Sequence, residues 1–367
     1  MRIGILTLPF NNNYGGYLQC YALMTFLKRE GHDVELIYRR HPKAPISKKI
    51  IPTIKNLIKV LIGKDVLSIF PDEEKSFRIR GKAMMSFLDE KITPKSIPLY
   101  SSKEFVGYVS GRYEAIIVGS DQVWRPEYGP GIRDYFFYGI PDDQLIRISY
   151  AASFGTDNPQ FKAEELIDCI KSLAKFKGIS VRESSGVTVM KKLGFKLSCE
   201  PQVVLDPTLL LSPKDYFSII NDGDHPSKGK VFCYVLDTNS EKEEIVINVC
   251  KTLDKDRYVI SDIQKTRASL PSIESWLSAI RDADFVITDS YHGMVFSVIF
   301  QKDFIVCPNI KRGGSRFSSF LGSIGLESRI VSTAKSFITS SIEWNEVYIK
   351  LNRLKKESRE FLKNYLV

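Results

Sequence analysis

The sequence lacks closely spaced cysteine and histidine residues. Its six cysteines are scattered without a CxxC pair, and its four histidines show no HExxH spacing. These absences exclude the usual sequence motifs of a structural zinc site, so no metal is expected. Because most of the cysteines lie inside apolar segments, we expect reduced and buried thiols.

The sequence also lacks the roughly 20 consecutive apolar residues that a transmembrane helix requires. The best candidate, IIPTIKNLIKVLIG at 50–63, is interrupted by lysines. The apolar N-terminus is followed by three asparagines, at 11–13, rather than by the small residues of a signal-peptide cleavage site. We therefore expect a cytoplasmic protein, with the inner face of the membrane as a second place where it acts.

The formal net charge of +9 indicates an anionic partner. Nucleic acid, an acidic membrane surface and small anionic substrates are the candidates. Many lysines lie in segments 43–64 and 349–363, alternating with apolar residues as on a helix with one exposed face. Segment 46–64 predicts either a solvated helix or a helix in peripheral contact with a membrane. No helix-turn-helix, RRM or zinc-finger pattern is present, so no nucleic-acid partner is expected.

Short apolar segments of strand type alternate with segments of helical period over nearly the whole chain. This alternation predicts an α/β protein with parallel sheets covered by helices. A chain of 367 residues is long for one hydrophobic core. We predict two Rossmann-like domains, 1–208 and 209–341, that face a cleft, and a C-terminal helix within 342–367 that packs back on them. The linker is expected in VVLDPTLLLSPKDY at 203–216.

Four polar clusters follow predicted strands. They are FNNNYGGYLQ at 10–19, GSDQVWRP at 119–126, SVRESSG at 180–186 and TDSYHG at 288–293. In open parallel sheets, ligands bind at the carboxyl ends of the strands, where loops expose backbone N–H groups and helix N-termini. The four clusters are therefore expected on the same edge of their sheets, and the facing edges of two domains would form one cleft.

Arginines in these segments are candidates for binding an anion. Arg182 follows a predicted strand and is followed by Ser184, while KRGGSRF at 311–317 supplies Arg312 and Arg316. A planar guanidinium donates two hydrogen bonds at once to phosphate or carboxylate. A buried salt bridge for Arg182 and a solvated basic loop at 311–317 are the structural alternatives.

His292 is the candidate for proton transfer. It lies at a predicted helix N-terminus, where the helix dipole favours anions. Asp289 at the preceding strand end is expected to orient the ring, as in a general acid/base pair. Asp121 is a second candidate carboxylate, with a helix N-cap as its alternative. The other candidate substrate contacts in the four clusters are Asn13, Tyr14, Gly15, Gly16, Gln122, Trp124, Ser290, Tyr291 and Gly293. The alternatives are packing for Trp124, a glycine turn capped by asparagines for the first cluster, and a satisfied core histidine for His292.

Taken together, these segments resemble the polysaccharide pyruvyl transferase family. The similarity runs, in order, through ILTLPFNNNYGGYLQCYAL, AIIVGSDQVWRP, ISYAASFG, GISVRESSG, VVLDPTLLL and ADFVITDSYHGMVFSVIFQKDFIV. The resemblance implies a two-domain fold similar to that of GT-B glycosyltransferases. In that fold, 1–208 would form the acceptor side of the cleft and 209–341 the donor side.

The resemblance also implies a reaction. Family members move the enolpyruvyl unit of phosphoenolpyruvate onto a sugar hydroxyl or diol, forming a pyruvate ketal on a precursor of a surface polysaccharide. The acceptor is expected to be lipid-linked or nucleotide-linked. No cofactor is expected besides phosphoenolpyruvate as the donor substrate.

Family residues carry over at three positions. An arginine of the family's strand-end segment contacts the donor and corresponds to Arg182, and the family's His-Gly motif corresponds to His292 and Gly293. Many members have an arginine two residues before this histidine, where the present sequence has Ser290. Arg312 or Arg316 is the candidate to replace that guanidinium.

Two other functions stay open from the sequence. A glycosyltransferase that uses a nucleotide sugar has the same architecture. A non-catalytic protein that binds acidic glycans would use the basic surface without needing His292.

Overall fold

Two parallel β-sheets organise the chain in the computed structural model. The structure describes residues 1–43, 46–62, 77, 79–141, 144–220, 223, 225–260, 269–308, 314–333 and 337–366. Within them, a six-stranded sheet has the order β2-β1-β3-β4-β5-β6 and a four-stranded sheet the order β10-β9-β7-β8. The strands are β1 Arg2–Leu6, β2 Asp33–Ile37, β3 Ala115–Val118, β4 Ile146–Ala152, β5 Gly178–Val181, β6 Gln202–Val203, β7 Val231–Tyr234, β8 Arg257–Val259, β9 Phe285–Thr288 and β10 Phe304–Val306.

Helices connect the strands and cover the sheets. They are α1 Tyr14–Arg29, α2 Ile46–Leu61, α3 Lys82–Lys91, α4 Ser102–Val109, α5 Ala163–Leu173, α6 Ser184–Lys192, α7 Pro213–Phe217, α8 Ser240–Leu253, α9 Ile273–Asp282, α10 Tyr291–Ile299, α11 Ser315–Ile324 and α12 Trp344–Tyr365. Strands β3, β5 and β9 are buried along their whole length. Burial on both faces is what parallel sheets between two helical layers require. The predicted α/β class with parallel sheets is confirmed.

The predicted linker is part of the packed body. Within 203–216, a 3-10 helix spans Pro207–Leu210, and its residues are buried. The apolar side chains of Leu209 and Leu210 belong to the same core as α1 and α10. The segment is therefore packed in the core, and its role as the linker stays a prediction. The domain boundaries at 208 and 341 stay a prediction.

The C-terminal helix α12 packs across elements of both sheets. Ser358 accepts a hydrogen bond from the backbone N–H of Leu205 at 2.9 Å. The ring of Phe361 lies 6.2 Å from that of Tyr150 on β4. Near the start of the helix, the Tyr348 hydroxyl donates to the Ile299 carbonyl at 3.2 Å. In the described part of the chain, no helix combines the length and the hydropathy needed to span a bilayer.

Candidate functional site

The strand-end loops of the six-stranded sheet meet in one polar cluster. Strands β1, β3, β4 and β5 are neighbours and run parallel, so the segments that follow them leave the same edge of the sheet. Asn13, just before α1, donates from Nδ2 to Asp121 Oδ2 at 3.0 Å. Asp121 has a left-handed φ of 70° in the turn after β3 and does not cap a helix. The predicted meeting of the first three clusters is therefore observed.

Arg182 is the centre of this cluster. Its Nη1 donates to Asp206 Oδ2 at 3.0 Å and its Nη2 to Asp121 Oδ1 at 3.2 Å. The guanidinium lies over the ring of Tyr291, 4.2 Å from the ring centre. Burial opposes its charge, but Asp121, Tyr291, Asp206 and Glu183 raise the pKa of Arg182 above its usual value. Arg182 therefore forms a buried salt bridge, which the sequence offered as the structural alternative to anion binding.

Asp206 is a member of the site that the sequence did not single out. Its Oδ1 accepts from Thr208 N at 3.1 Å and Thr208 Oγ1 at 2.7 Å. Its Oδ2 accepts from Ser120 Oγ at 3.3 Å as well as from Arg182. Burial works against ionisation, but His292 and Arg182 outweigh it and hold the pKa of Asp206 well below its usual value. The Asp-Pro pair at the start of a 3-10 helix was the sequence signal, because it marks an N-cap.

His292 reaches the same cluster from the second sheet. It lies in the first turn of α10, where the hydroxyl of Ser290 caps the helix by accepting from the Gly293 N–H at 3.3 Å. The imidazole Nε2 is 3.4 Å from Asp206 Oδ2. On the other side of the ring, a Cβ added to Gly15 would lie 1.8 Å from Nδ1. Gly15 and Asp206 therefore enclose the ring from both sides.

Asp289 does not orient this ring. Its carboxylate accepts from the backbone N–H of Leu236 at 2.6 Å and of Asp237 at 3.0 Å. It also forms an ion pair with Lys242 at 2.6 Å. These groups follow β7 and begin α8, so the carboxylate is turned toward the neighbouring strand. The expected Asp289–His292 pairing was wrong, and Asp206 is the carboxylate beside the imidazole.

Arg316 converges on the cluster from α11. Its guanidinium is 5.9 Å from the centre of the Tyr291 ring, on which Arg182 also lies. Burial and the nearby Arg182 lower the pKa of Arg316, against the effect of Glu183 and Asp121. The N-termini of α11 and α6 touch, since the backbone N–H of Ser184 donates to Ser319 Oγ at 3.4 Å. Arg312 lies outside the described residues.

Two aromatic candidates belong to the core. Tyr14 is fully buried, its ring stacks on Trp276 at 5.2 Å and its hydroxyl donates to the Pro271 carbonyl at 2.9 Å. Trp124 is also fully buried and donates from Nε1 to the Tyr135 carbonyl at 3.2 Å. Large rings gain most from complete burial. The expectation that Tyr14 and Trp124 contact substrate was wrong.

Two further candidates lie beside the cluster. Gln122 Oε1 accepts from Arg125 Nη1 at 3.2 Å. Gly16 is partly exposed, and a Cβ added there would meet only Asn13 atoms at 3.5 Å or more. Gln122 and Gly16 therefore stay predictions as substrate contacts.

Three buried polar atoms in the cluster lack a hydrogen-bond partner among the described residues. They are Arg182 Nε, Glu183 Oε2 and His292 Nε2, the last of which lies 3.4 Å from Asp206 Oδ2 without the geometry of a hydrogen bond. The other oxygen of Glu183 accepts from Ser153 Oγ at 2.6 Å. Burial raises the pKa of Glu183, although Arg182 opposes this effect. Because buried polar groups are normally satisfied, these atoms give the cluster hydrogen-bonding capacity for a polar ligand.

The described cavities lie away from this cluster. One of about 360 Å³ is lined by Met1, His32 and Leu366, at the opposite end of β1. Another of about 170 Å³ lies beside Val235, Lys242 and Val259, next to the Lys242–Asp289 ion pair. Across the described residues, no group of three or more His, Cys, Asp or Glu side chains is arranged to hold a metal ion.

The low pKa of Asp206 makes the stability of the cluster depend on pH. The unfolded carboxyl titrates near ~3.9, and the folded carboxyl titrates lower. Its ionised form therefore contributes stability above about pH 4, which is lost as the pH falls toward the folded pKa. We expect Asp206→Asn to cost about 1–3 kcal/mol at pH 7 and progressively less below about pH 4. Urea unfolding of both proteins between pH 7 and pH 2.5 measures the difference, and a pH-independent difference would contradict the assignment.

Solved structures show the fold that holds this site. The chain is similar to UDP-N-acetylglucosamine 2-epimerase of Rickettsia bellii, with 9% identity, coverage of 100% of this chain and 96% of that chain, and a TM-score of 0.51. It is also similar to the enzyme of the same description from Neisseria meningitidis bound to UDP-GlcNAc, with 8% identity, 99% and 94% coverage, and a TM-score of 0.43. The predicted GT-B-like fold is confirmed.

Sequence comparison identifies the family. No curated protein matches the sequence. The family model described as polysaccharide pyruvyl transferase matches residues 13–311. This range contains Asn13, Asp121, Arg182, Asp206 and His292, which the structure brings together. The chain belongs to the polysaccharide pyruvyl transferase family.

Proposed function

We propose that this protein transfers a pyruvyl (enolpyruvyl) group from phosphoenolpyruvate to a hydroxyl or diol of a sugar, forming a pyruvate ketal on a surface-polysaccharide precursor. The single observation that carries the proposal is the meeting of Arg182, Arg316 and His292 around Tyr291. Two guanidiniums and an imidazole in one buried cluster suit a donor that carries both a carboxylate and a phosphate. The acceptor is lipid-linked or nucleotide-linked, and no cofactor is needed besides the donor substrate.

Arg316 is the proposed replacement for the arginine that many family members have at the position of Ser290. Ser290 caps α10 and directly precedes Tyr291. The Arg316 guanidinium comes from α11 and lies 5.9 Å from the Tyr291 ring centre. Arg316 thus brings a guanidinium from α11 to the ring of Tyr291, the residue that directly follows Ser290. Arg316 is therefore proposed as a second guanidinium that contacts the donor, beside Arg182.

The proposed reaction adds a proton and a sugar oxygen to neighbouring carbons of phosphoenolpyruvate. The methylene carbon of phosphoenolpyruvate gains a proton, and a sugar hydroxyl forms a C–O bond to the adjacent carbon. The bond from that carbon to the phosphate oxygen then breaks, phosphate leaves, and a second hydroxyl closes the ketal. Both hydroxyls lose their protons, of which one balances the proton gained by the methylene carbon and the other is taken up by the departing phosphate. We assign proton transfer to His292, with Asp206 as the residue that positions its ring.

The hydrogen-bond and ion-pair partners of Asp121 and Asp289 indicate which of the two carboxylates can act on the acceptor. Asp121 is bound by Arg182 and Asn13, and these contacts suit it to orient a hydroxyl. Burial opposes the charge of Asp121, but Arg182, His292 and Arg316 lower its pKa, which makes it a weak base. Asp289 is committed to Lys242 and two backbone N–H groups. Asp121 is therefore the stronger candidate for positioning the acceptor, on the side formed by 1–208.

The proposal is tested by incubating the protein with phosphoenolpyruvate and a panel of lipid-linked and nucleotide-linked sugars. We expect phosphate release together with a mass increase of one acceptor. His292→Asn is expected to lower the rate by about 10²–10⁴ while the fold is kept, because a positioned acid or base contributes that much. Turnover of a nucleotide sugar instead would favour a glycosyltransferase. Glycan binding that survives His292→Ala without turnover of any donor would favour a non-catalytic glycan-binding protein.

A further inference from the structure

Helix α2 has an apolar face that the described part of the protein leaves open. Ile50, Ile54, Leu57 and Leu61 follow one another at helical spacing and are 53%, 52%, 46% and 77% exposed. In α1, which is equally long, the apolar residues Leu18 and Leu23 are fully buried. A contiguous row of exposed aliphatic side chains on one helix marks an interaction surface.

The rest of α2 carries positive charge. The helix has lysines at 48, 49, 55 and 59 and no acidic residue between Ile46 and Leu61. Lys55 falls opposite the row formed by 50, 54, 57 and 61 and is exposed. An apolar face backed by lysines is the composition of a helix that lies in the interface of an anionic bilayer. At 16 residues the helix is about 24 Å long, shorter than the hydrocarbon core of about 30 Å.

We propose that α2 docks this protein on an anionic membrane surface, lying in the plane of the interface with Ile50, Ile54, Leu57 and Leu61 inserted. Anionic lipid is favoured over a second copy by charge. Two α2 helices packed face to face would bring together eight lysines with no acidic residue on either helix. Headgroups of an acidic leaflet attract each lysine instead.

The position of α2 in the chain relates its apolar face to the candidate functional site. The helix begins after the carboxyl end of β2, and β2 is paired in parallel with β1. The connection from β2 to α2 therefore leaves the same edge of the sheet as the loops that carry Asn13, Asp121 and Arg182. If the proposed pyruvyl transfer is correct, docking through α2 turns this edge toward a lipid-linked acceptor. The docking itself does not depend on that reaction.

The test is partitioning of the full chain onto vesicles. The probes are vesicles of phosphatidylcholine alone and vesicles with 30% phosphatidylglycerol, separated by sedimentation. We expect binding to the anionic vesicles, and a partition coefficient about tenfold or more lower for Ile54→Asp and for Lys55→Glu. Ile247→Asp on α8 is the matched control for the first change because Ile247 is 53% exposed. Lys171→Glu on α5 is the control for the second, and both controls are expected to bind as the parent protein does.

Several outcomes would overturn the proposal. One is the absence of binding to anionic vesicles. A second is equal binding to both kinds of vesicle, and a third is binding that Ile54→Asp leaves unchanged. A fourth is a dimer in sedimentation velocity without lipid that Ile54→Asp dissociates, because the apolar face would then be covered by a second copy. The assay contains neither phosphoenolpyruvate nor a sugar, so its failure is separate from a failure of the proposed reaction.

Discussion

Replacing Arg182 with alanine is expected to lower the free energy of unfolding by about 3–5 kcal/mol, as removal of one partner from a buried ion pair does. The guanidinium has no solvent-exposed surface, and it donates to Asp121 and Asp206. Without it, two buried carboxylates lose a counter-ion with which each forms a hydrogen bond. Urea unfolding at pH 7 measures the loss.

Arg133→Ala is the matched control for this prediction. Arg133 also contacts two carboxylates, Asp168 at 2.7 Å and Glu165 at 4.0 Å, but its side chain is 35% exposed. Solvent screens this network, so we expect a loss of about 0–1 kcal/mol. Equal losses in the two variants would contradict the structural role assigned to Arg182.

This stability effect changes how donor binding at Arg182 is measured. In the fraction of Arg182→Ala that stays folded, loss of a charge-assisted hydrogen bond would weaken phosphoenolpyruvate binding by about 1.5–3 kcal/mol. Calorimetry therefore has to be performed at a temperature where the variant is folded. Unchanged affinity there would exclude Arg182 as an anchor of the donor and would leave Arg316 as the guanidinium that contacts it.

Much of the fold was predictable because apolar segments of strand length are bounded by polar ones. The apolar segments RIGILTL at 2–8 and DFVITD at 284–289 predict strands, and they contain the strands Arg2–Leu6 and Phe285–Thr288. Strand β6 was missed because it has two residues, both exposed, and hence no apolar pattern. Helix α4 was also missed, although Ser101 and Glu104 form a capping box that the sequence displays.

Helix α11 is an element that local helix propensity does not predict. Its sequence, SRFSSFLGSI, contains four serines and a glycine, which are weak helix formers. Phe317 and Leu321 are nevertheless buried in the main core. The helix forms because it covers that core, and such a gain cannot be read from local propensity.

The sequence predicted the part of the site that follows the carboxyl ends of the strands. The rule that ligands bind at these ends brings Asn13, Asp121 and Arg182 to one edge, and the structure agrees. It does not identify Asp206, which enters from the segment after the edge strand β6. Proximity in sequence made Asp289 the expected partner of His292, but its carboxylate is turned toward Lys242. Partners across two sheets are set by how the sheets pack, which the sequence pattern does not encode.

The contact between Gly15 and His292 leads to a prediction about the rate of the proposed reaction. A methyl group at position 15 would lie 1.8 Å from His292 Nδ1 and 2.2 Å from Cγ, far inside van der Waals contact. The imidazole is buried between Gly15, Asp206 and the Tyr291 ring, so it has to move out of its place. Displacing a catalytic group by about 1 Å costs about 10²-fold in rate.

We therefore expect Gly15→Ala to lower kcat/KM for pyruvyl transfer by about 10²-fold, measured as phosphate release from phosphoenolpyruvate with a saturating acceptor. Gly16→Ala is the matched control, because the nearest atom to its new methyl group is Asn13 Nδ2 at 3.5 Å, an ordinary contact. Since both glycines lie in α1, Gly16→Ala is expected to leave the His292 ring in place and to gain about 0.5–1 kcal/mol of stability. The imidazole resonances of His292 report the displacement without turnover and are expected to shift in Gly15→Ala alone. If Gly15→Ala keeps both the rate and these resonances, the first glycine of the pair does not set the position of His292.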